Sequence, residues 1–169
     1  MITRYLPTFK VFEVGSLTGL RAGHMLSQQP AASGTGIAKV VKNGYSFIEN
    51  GIIVGLNSDG TVGNYDKSKH TTAFVHFTEE LNTFIDELKY YALPVEEVGD
   101  TYPRCIALYT GDAFCTNNVA AEVEGAKFAK VVDGVLTLET TESEDSVFAV
   151  KESTLPTGEK AYDFLFLGV

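Results

Sequence analysis

Apolar and polar residues alternate in short runs along most of this chain, and glycine turns separate the runs. The clearest stretch is residues 40–62. Val, Ile, Phe and Tyr dominate it, and three turn dipeptides divide it: Asn43-Gly44, Asn50-Gly51 and Asp59-Gly60. Asn-Gly and Asp-Gly favour two-residue hairpins because a type I′ turn needs positive φ at both central positions. Gly takes positive φ without steric cost. The pattern predicts a compact antiparallel meander over residues 37–65. Strand character returns at residues 72–77, beyond a charged loop at residues 66–70.

The period then changes once. Leu81, Phe84, Ile85 and Leu88 fall on the i, i+3, i+4, i+7 stripe of an amphipathic helix. Thr78 suits the N-cap, and Glu79 and Glu80 suit the positive end of the helix dipole. Pro94 bars continuation. The pattern predicts one short amphipathic helix near residues 79–89, with a strand pair through residues 90–93 as the competing assignment for its end. From residue 102 the β pattern resumes. Runs at 104–109 and 113–119 precede a hairpin of 127–132 and 135–140 about Asp133-Gly134, and a ribbon of 146–151 and 161–167 closes the chain. The fold class is mainly β, an antiparallel barrel or sandwich built of hairpins and meanders.

Residues 1–12 carry Tyr5, Leu6, Phe9, Val11 and Phe12 among Thr and Lys, with Pro7 inside the run. Proline confines a strand to a sheet edge or marks an extended arm. Residues 15–36 are rich in Gly, Ser and Gln and lack periodicity, which is long for a loop inside a compact domain. Residues 1–36 are therefore read as an extended N-terminal arm and loop, and 37–169 as the β domain. Tyr5, Leu6, Phe9, Val11 and Phe12 are the candidate partner-binding residues, suited to adding a strand to a neighbour.

An internal match divides the β domain. Shifting the chain by 74 residues lays Gly51 on Gly125, Asp59-Gly60 on Asp133-Gly134, Phe74 on Phe148 and Leu81 on Leu155. Turn chemistry limits the alphabet at several of these positions. The match is therefore read either as convergence or as two related β-units, 37–93 and 102–169.

Composition excludes more than it assigns. At 44% hydrophobic and 21% charged residues, with 11 Phe and 8 Tyr, the chain has the makings of a packed core and not of a disordered segment. Its net charge of −9 repels phosphate backbones, so no nucleic-acid partner is expected. No apolar run approaches the 18 or so residues of a membrane span, and the first residues lack a basic-then-apolar signal pattern. The expectation is a protein made in a cytosol, with no membrane partner. Cys105 and Cys115 are read as free thiols, a hairpin-bridging disulfide being the alternative.

No catalytic constellation emerges. His24, His70 and His76 show no metal-ligand spacing. Cys105 has no local partner that would make it a nucleophile. Glu79-Glu80 and Glu96-Glu97 are adjacent pairs whose members point apart, unlike the two carboxylates of a glycosidase cleft. The acidic loop from Glu139 to Asp145 lacks the calcium-loop pattern. Neither a catalytic residue, a metal site nor a cofactor is expected, and the chain is read as non-enzymatic.

Two phrases carry a resemblance. Residues 50–62, Asn-Gly-Ile-Ile-Val-Gly-Leu-Asn-Ser-Asp-Gly-Thr-Val, resemble a strand-and-turn phrase of tailed-bacteriophage head decoration (capsid cement) proteins, and residues 111–119, Gly-Asp-Ala-Phe-Cys-Thr-Asn-Asn-Val, are similar to another short phrase of phage virion proteins. That resemblance implies a virion structural protein, made in the host cytoplasm and placed on the capsid surface. It would bind the major capsid protein, and other copies of itself, and stabilise the shell. Two rival readings stand beside it: a phage tail-tube or other tail structural protein, and a carbohydrate- or ligand-binding β module using Tyr90 and Tyr91.

Overall fold

The computed structural model describes residue 10 and residues 12–17, 25–42, 45–77, 80–81, 89–90, 92–95, 101–155 and 158–169. Every regular element among them is a strand. In chain order these are β1 (Phe12–Ser16), β2 (Met25–Leu26), β3 (Val40–Lys42), β4 (Tyr45–Glu49), β5 (Ile53–Leu56), β6 (Val62–Asn64), β7 (Phe74–His76) and β8 (Glu80–Leu81). There follow β9 (Lys89–Tyr90), β10 (Ala92–Val95), β11 (Cys105–Ala107), β12 (Ala113–Thr116), β13 (Phe128–Val132), β14 (Val135–Glu139), β15 (Phe148–Thr154) and β16 (Lys160–Phe166). They form a six-stranded sheet, β1-β12-β16-β15-β13-β14, a five-stranded sheet, β2-β11-β7-β5-β6, and a three-stranded sheet, β10-β4-β3; β8 pairs with β9. All named pairings are antiparallel, as the mainly β reading expects.

The five-stranded and six-stranded sheets repeat one topology. The hairpin β5–β6 with β7 beside β5 matches β13–β14 with β15 beside β13, register for register. Ile53↔Val75 and Val54↔Phe74 correspond to Phe128↔Ala149 and Ala129↔Phe148. Val54↔Asn64 and Leu56↔Val62 correspond to Ala129↔Leu138 and Val131↔Leu136. The match extends outward: β11 lies beside β7 as β16 lies beside β15, and β2 beside β11 as β12 beside β16. An isolated parallel bridge recurs too, Ala31↔Val62 in one sheet and Val119↔Leu136 in the other. So do the bonds beside it, Ala32 N–H to the Val62 carbonyl (2.8 Å) and Ala120 N–H to the Leu136 carbonyl (2.9 Å). The limits differ from 37–93 and 102–169. The first unit begins at β2, within the segment read as loop, and ends at β11, which falls inside the second unit of the sequence reading.

Packing stacks these sheets. One core joins Ile53, Val75 and Ile106 of the five-stranded sheet to Ala129, Leu136, Phe148 and Phe164 of the six-stranded one. A second core joins the opposite face of the five-stranded sheet, through Val54, Val62 and Cys105, to Ile48 of β4 and to Ile37 and Ile52. The five-stranded sheet is thus covered on both faces. Its strands read as continuous buried runs, Ile53-Val54-Gly55 and Cys105-Ile106-Ala107, because neither face is wet.

Three expectations need correction. The helix near residues 79–89 is not present in the described part of that segment: Glu80 pairs with Tyr90 and Leu81 with Lys89. Residues ten apart on a helix would lie about 15 Å apart, whereas paired strands bring Cα atoms to about 5 Å. Residues 82–88 lie outside the described residues. Asn50-Gly51 is not a hairpin turn but a corner where the chain leaves the three-stranded sheet for the five-stranded one. Its backbone bonds away from the flanking strands: Gly51 N–H donates to the His76 carbonyl at 2.9 Å, and Asn118 Nδ2 donates to the Asn50 carbonyl at 2.8 Å.

The third correction concerns Phe12. It is buried, packs on Phe77 and Phe114 at 5.1 Å each, and belongs to the core of the domain and not to an arm. Tyr5, Leu6, Phe9 and Val11 lie outside the described residues. Residues 31–37 are likewise built into the fold, with Ala31 and Ile37 in the second core. The lack of periodicity there reflects single inward contacts between turns.

Candidate functional site

The histidines and cysteines are the groups most able to carry chemistry, and the fold commits those among the described residues to structure. His76 ends β7 with no exposed surface. Its Nδ1 lies 3.0 Å from the Glu49 carbonyl, an acceptor, so Nδ1 carries the proton. Burial pushes its pKa down to about 4, and the bond to Glu49 opposes that only in part. Cys105 stands opposite His76 in register, so the structure does bring a thiol and an imidazole together. The thiol is fully buried, its pKa pushed far above the ordinary thiol range by desolvation, and its Sγ points to the Pro103 carbonyl at 3.7 Å. A nucleophile needs a thiolate and access. Neither is provided here.

His70 is held in the loop between β6 and β7. The Asp66 N–H donates to its Nδ1 at 2.9 Å, so the neutral ring carries its proton on Nε2, which donates to Asn57 Oδ1 at 3.3 Å. The ring stacks on Tyr65 at 5.9 Å. Gly55 makes room for it, since a Cβ there would overlap the imidazole. His24 lies outside the described residues, as do Glu79, Glu96, Glu97 and Tyr91. Glu80 and Tyr90 are placed only as strand residues of β8 and β9.

Cys105 and Cys115 are both free thiols, on different sheets. Cys115 is half-buried on β12; burial, then the Asp163 carboxylate, pushes its pKa up to about 11.

A cleft of about 710 Å³ lies between the loop after β6 and the β13–β14 hairpin. Lys67, Lys69, Lys130, Asn57, Asn64 and Asp133 line it, a set able in principle to recognise a polar ligand. Each is occupied except Asp133. Lys69 pairs with Asp66 at 2.6 Å, and those contacts hold the Asp66 carboxyl well below the usual carboxylate range. Lys67 Nζ donates to the Glu144 carbonyl at 2.7 Å. Asn64 Oδ1 accepts from Ala38 N–H at 2.7 Å, and Asn57 is shared between His70 and Thr61. Lys130 pairs with Glu139 at 2.8 Å, whose other oxygen accepts from Ser143 and Ser146 at 2.9 Å each. Burial raises the Glu139 pKa, and these partners more than offset it. This latch accounts for the acidic loop that a calcium reading would have used. No group of three His, Cys, Asp or Glu side chains among the described residues is placed to hold a metal ion. Chemically the cleft is a seam of loop contacts.

Sequence reasoning left the shared topology of the two sheets undecided between convergence and two related units, and it missed the surface that the described residues leave open, the outer face of the six-stranded sheet. The recurrence of Asp-Gly turns signalled the repeat only faintly, because equivalent core positions differ: Val54 matches Ala129, and Cys105 matches Phe164. No protein-family model, curated protein or solved structure matches this chain.

Proposed function

We propose that this chain is a non-enzymatic virion protein that decorates and stabilises a bacteriophage capsid by binding the major capsid protein. The reading rests on the phrase at residues 50–62 that resembles head decoration proteins and the phrase at residues 111–119 that is similar to phage virion proteins, and one structural observation supports it. The N-terminal segment enters the fold as β1, the end strand of the largest sheet, anchored beside β4 by Lys10 N–H to Glu49 Oε1 at 3.4 Å. The outer edge of β1 has no partner strand among the described residues. A sheet edge next to a terminal segment is a ready site for strand addition between chains. The net charge of −9 suits a protein facing away from packaged DNA. The capsid surface is the proposed location, after synthesis in the host cytoplasm.

The test is binding to expanded empty capsids by the full chain and by a variant lacking residues 1–9, which keeps Lys10 and the core residue Phe12. The variant is expected to unfold at the same temperature as the full chain yet to lose most capsid occupancy. Equal occupancy removes the strand-addition role. Failure of the full chain to bind capsids, with stacked rings forming instead, replaces the head reading with a tail one. Saturable binding to a glycan array, lost on changing Tyr90 and Tyr91 to Ala, replaces both.

A further inference from the structure

The two sheets share a topology, so the same row of residues can be followed across both. In the five-stranded sheet the row Met25–Ile106–Val75–Ile53 runs across β2, β11, β7 and β5 through direct register pairs. Ile106, Val75 and Ile53 have no exposed surface, because the six-stranded sheet lies on them. The equivalent row of the six-stranded sheet is Ala113–Leu165–Ala149–Phe128. Nothing among the described residues covers it: Leu165 is 43% exposed, and Ala113, Ala149 and Phe128 are partly exposed. One chain therefore carries the same face twice, once covered by a sheet and once with no sheet over it among the described residues.

The bare row is complementary to itself. Its members alternate small, large, small, large across β12, β16, β15 and β13. A two-fold axis running along the strands, between β16 and β15, lays the row on its own reverse. Leu165 then stands over Ala149 of the second copy, and Phe128 over its Ala113. Ridges meet hollows, as facing sheets require. The charges agree as well. Two residues along from Leu165 and Ala149 lie Asp163 and Lys151, direct register partners on β16 and β15 and both exposed. They stand astride the same axis, which sets Asp163 of each copy over Lys151 of the other. An isologous contact makes this match twice.

We infer that the outer face of the six-stranded sheet is a homodimer interface, occupied by the same face of a second copy of this chain. The four strands bearing the row give a face about 19 Å wide at about 4.8 Å per strand. Strands of four to seven residues at about 3.4 Å per residue make it about 14–24 Å long, or about 260–450 Å² of sheet face. That is below the roughly 800 Å² per partner of a standard interface, and the dimer is expected to dissociate in the micromolar range. The inference goes beyond the capsid reading and does not depend on it, because it concerns the isolated protein.

Sedimentation equilibrium of the full chain measures it. The wild type is expected to dimerise. Leu165→Glu, at an exposed position, is expected to weaken the dimer at least about tenfold with an unchanged circular dichroism spectrum and melting temperature. A charge exchange tests the geometry through a gain of binding. Asp163→Lys and Lys151→Asp each place like charges opposite one another in their own homodimer, and each alone is expected to stay monomeric. Mixed in equal amounts they are expected to form a heterodimer, and adding Leu165→Glu to either chain should abolish it. A wild type that stays monomeric at high micromolar concentration overturns the inference. So does a dimer indifferent to Leu165→Glu, or a mixture of the two charge variants that remains monomeric.

Discussion

The five-stranded and six-stranded sheets follow one strand order and one register, and they differ in what covers them. The first is buried on both faces, by the three-stranded sheet on one side and the six-stranded sheet on the other. The second is, among the described residues, buried on one face only. Its strands alternate, as in β14 with Val135, Thr137 and Glu139 outward and Leu136 and Leu138 inward. The lesson is that topology does not fix residue choice; the neighbour on each face does. His76 and Val150 occupy equivalent places in β7 and β15. One is a fully buried imidazole bonded to the Glu49 carbonyl, the other a partly buried aliphatic packed on the first core.

The largest expected break in this comparison comes from the paired phenylalanines. Phe148 has no exposed surface and contacts Phe114, Phe164 and Phe166 with ring centroids 5.3–5.8 Å apart. Phe148→Ala is expected to cost about 3–5 kcal/mol. Its counterpart Phe74 is only partly buried, at the margin of the second core, and Phe74→Ala is expected to cost about 1–2 kcal/mol. Denaturant unfolding of both variants measures the difference. Equal losses would mean that the two cores are not divided as the contacts indicate.

The next effect is acid sensitivity confined to one unit. His76 has a folded pKa of about 4 against about 6.5 in an unfolded chain. Between these values the unfolded state binds the proton and the folded state does not, so stability rises with pH. The contribution is fully present above pH 6.5 and is lost as pH falls towards 4, by about 3 kcal/mol at 1.36 kcal/mol per unit. His76→Val installs the residue of the equivalent position in the second sheet. It is expected to flatten stability across this window. Urea unfolding at several pH values reads the slope, and an equally steep profile in the variant would place the acid-sensitive group elsewhere.

The same contrast explains what could be read from the sequence. The second unit was legible because one wet face imposes alternation, and its strands fall close to where the pattern put them. The first unit was harder. Strands buried on both faces give unbroken apolar runs, and runs of that kind carry no register. Residues 25–36 lacked any period because they contribute a two-residue strand, one bridge at Ala31 and a few inward contacts. The stripe at Leu81, Phe84, Ile85 and Leu88 misled, since helical spacing is a local signal and the Glu80↔Tyr90 pairing is not local. As for the candidate surface, no single residue announces it. Leu165 is an ordinary exposed leucine until its row is aligned with Ile106, Val75 and Ile53.

The equivalent Asp-Gly turns give the finest comparison, and the smallest expected effect. Asp133 and Gly134 both have positive φ, 48° and 80°, and they close a two-residue hairpin between Val132 and Val135. This is the arrangement that Asp-Gly favours. At Asp59-Gly60 only Gly60 has positive φ, 84°, because the loop there runs from Asn57 to Thr61 and is closed by Asn57 N–H to the Thr61 carbonyl at 2.8 Å. Alanine at either glycine meets the backbone penalty of the left-handed region. Surroundings separate them. A Cβ at Gly60 would meet nothing within 4 Å, whereas one at Gly134 would stand 2.5 Å from Asn64 Oδ1, the atom that holds Ala38 N–H. Gly134→Ala is therefore expected to cost about 2 kcal/mol and Gly60→Ala about 1 kcal/mol, measured by thermal unfolding. A larger loss at Gly60 would mean that turn geometry alone, and not the docking of the second hairpin on the first sheet, sets the requirement for glycine.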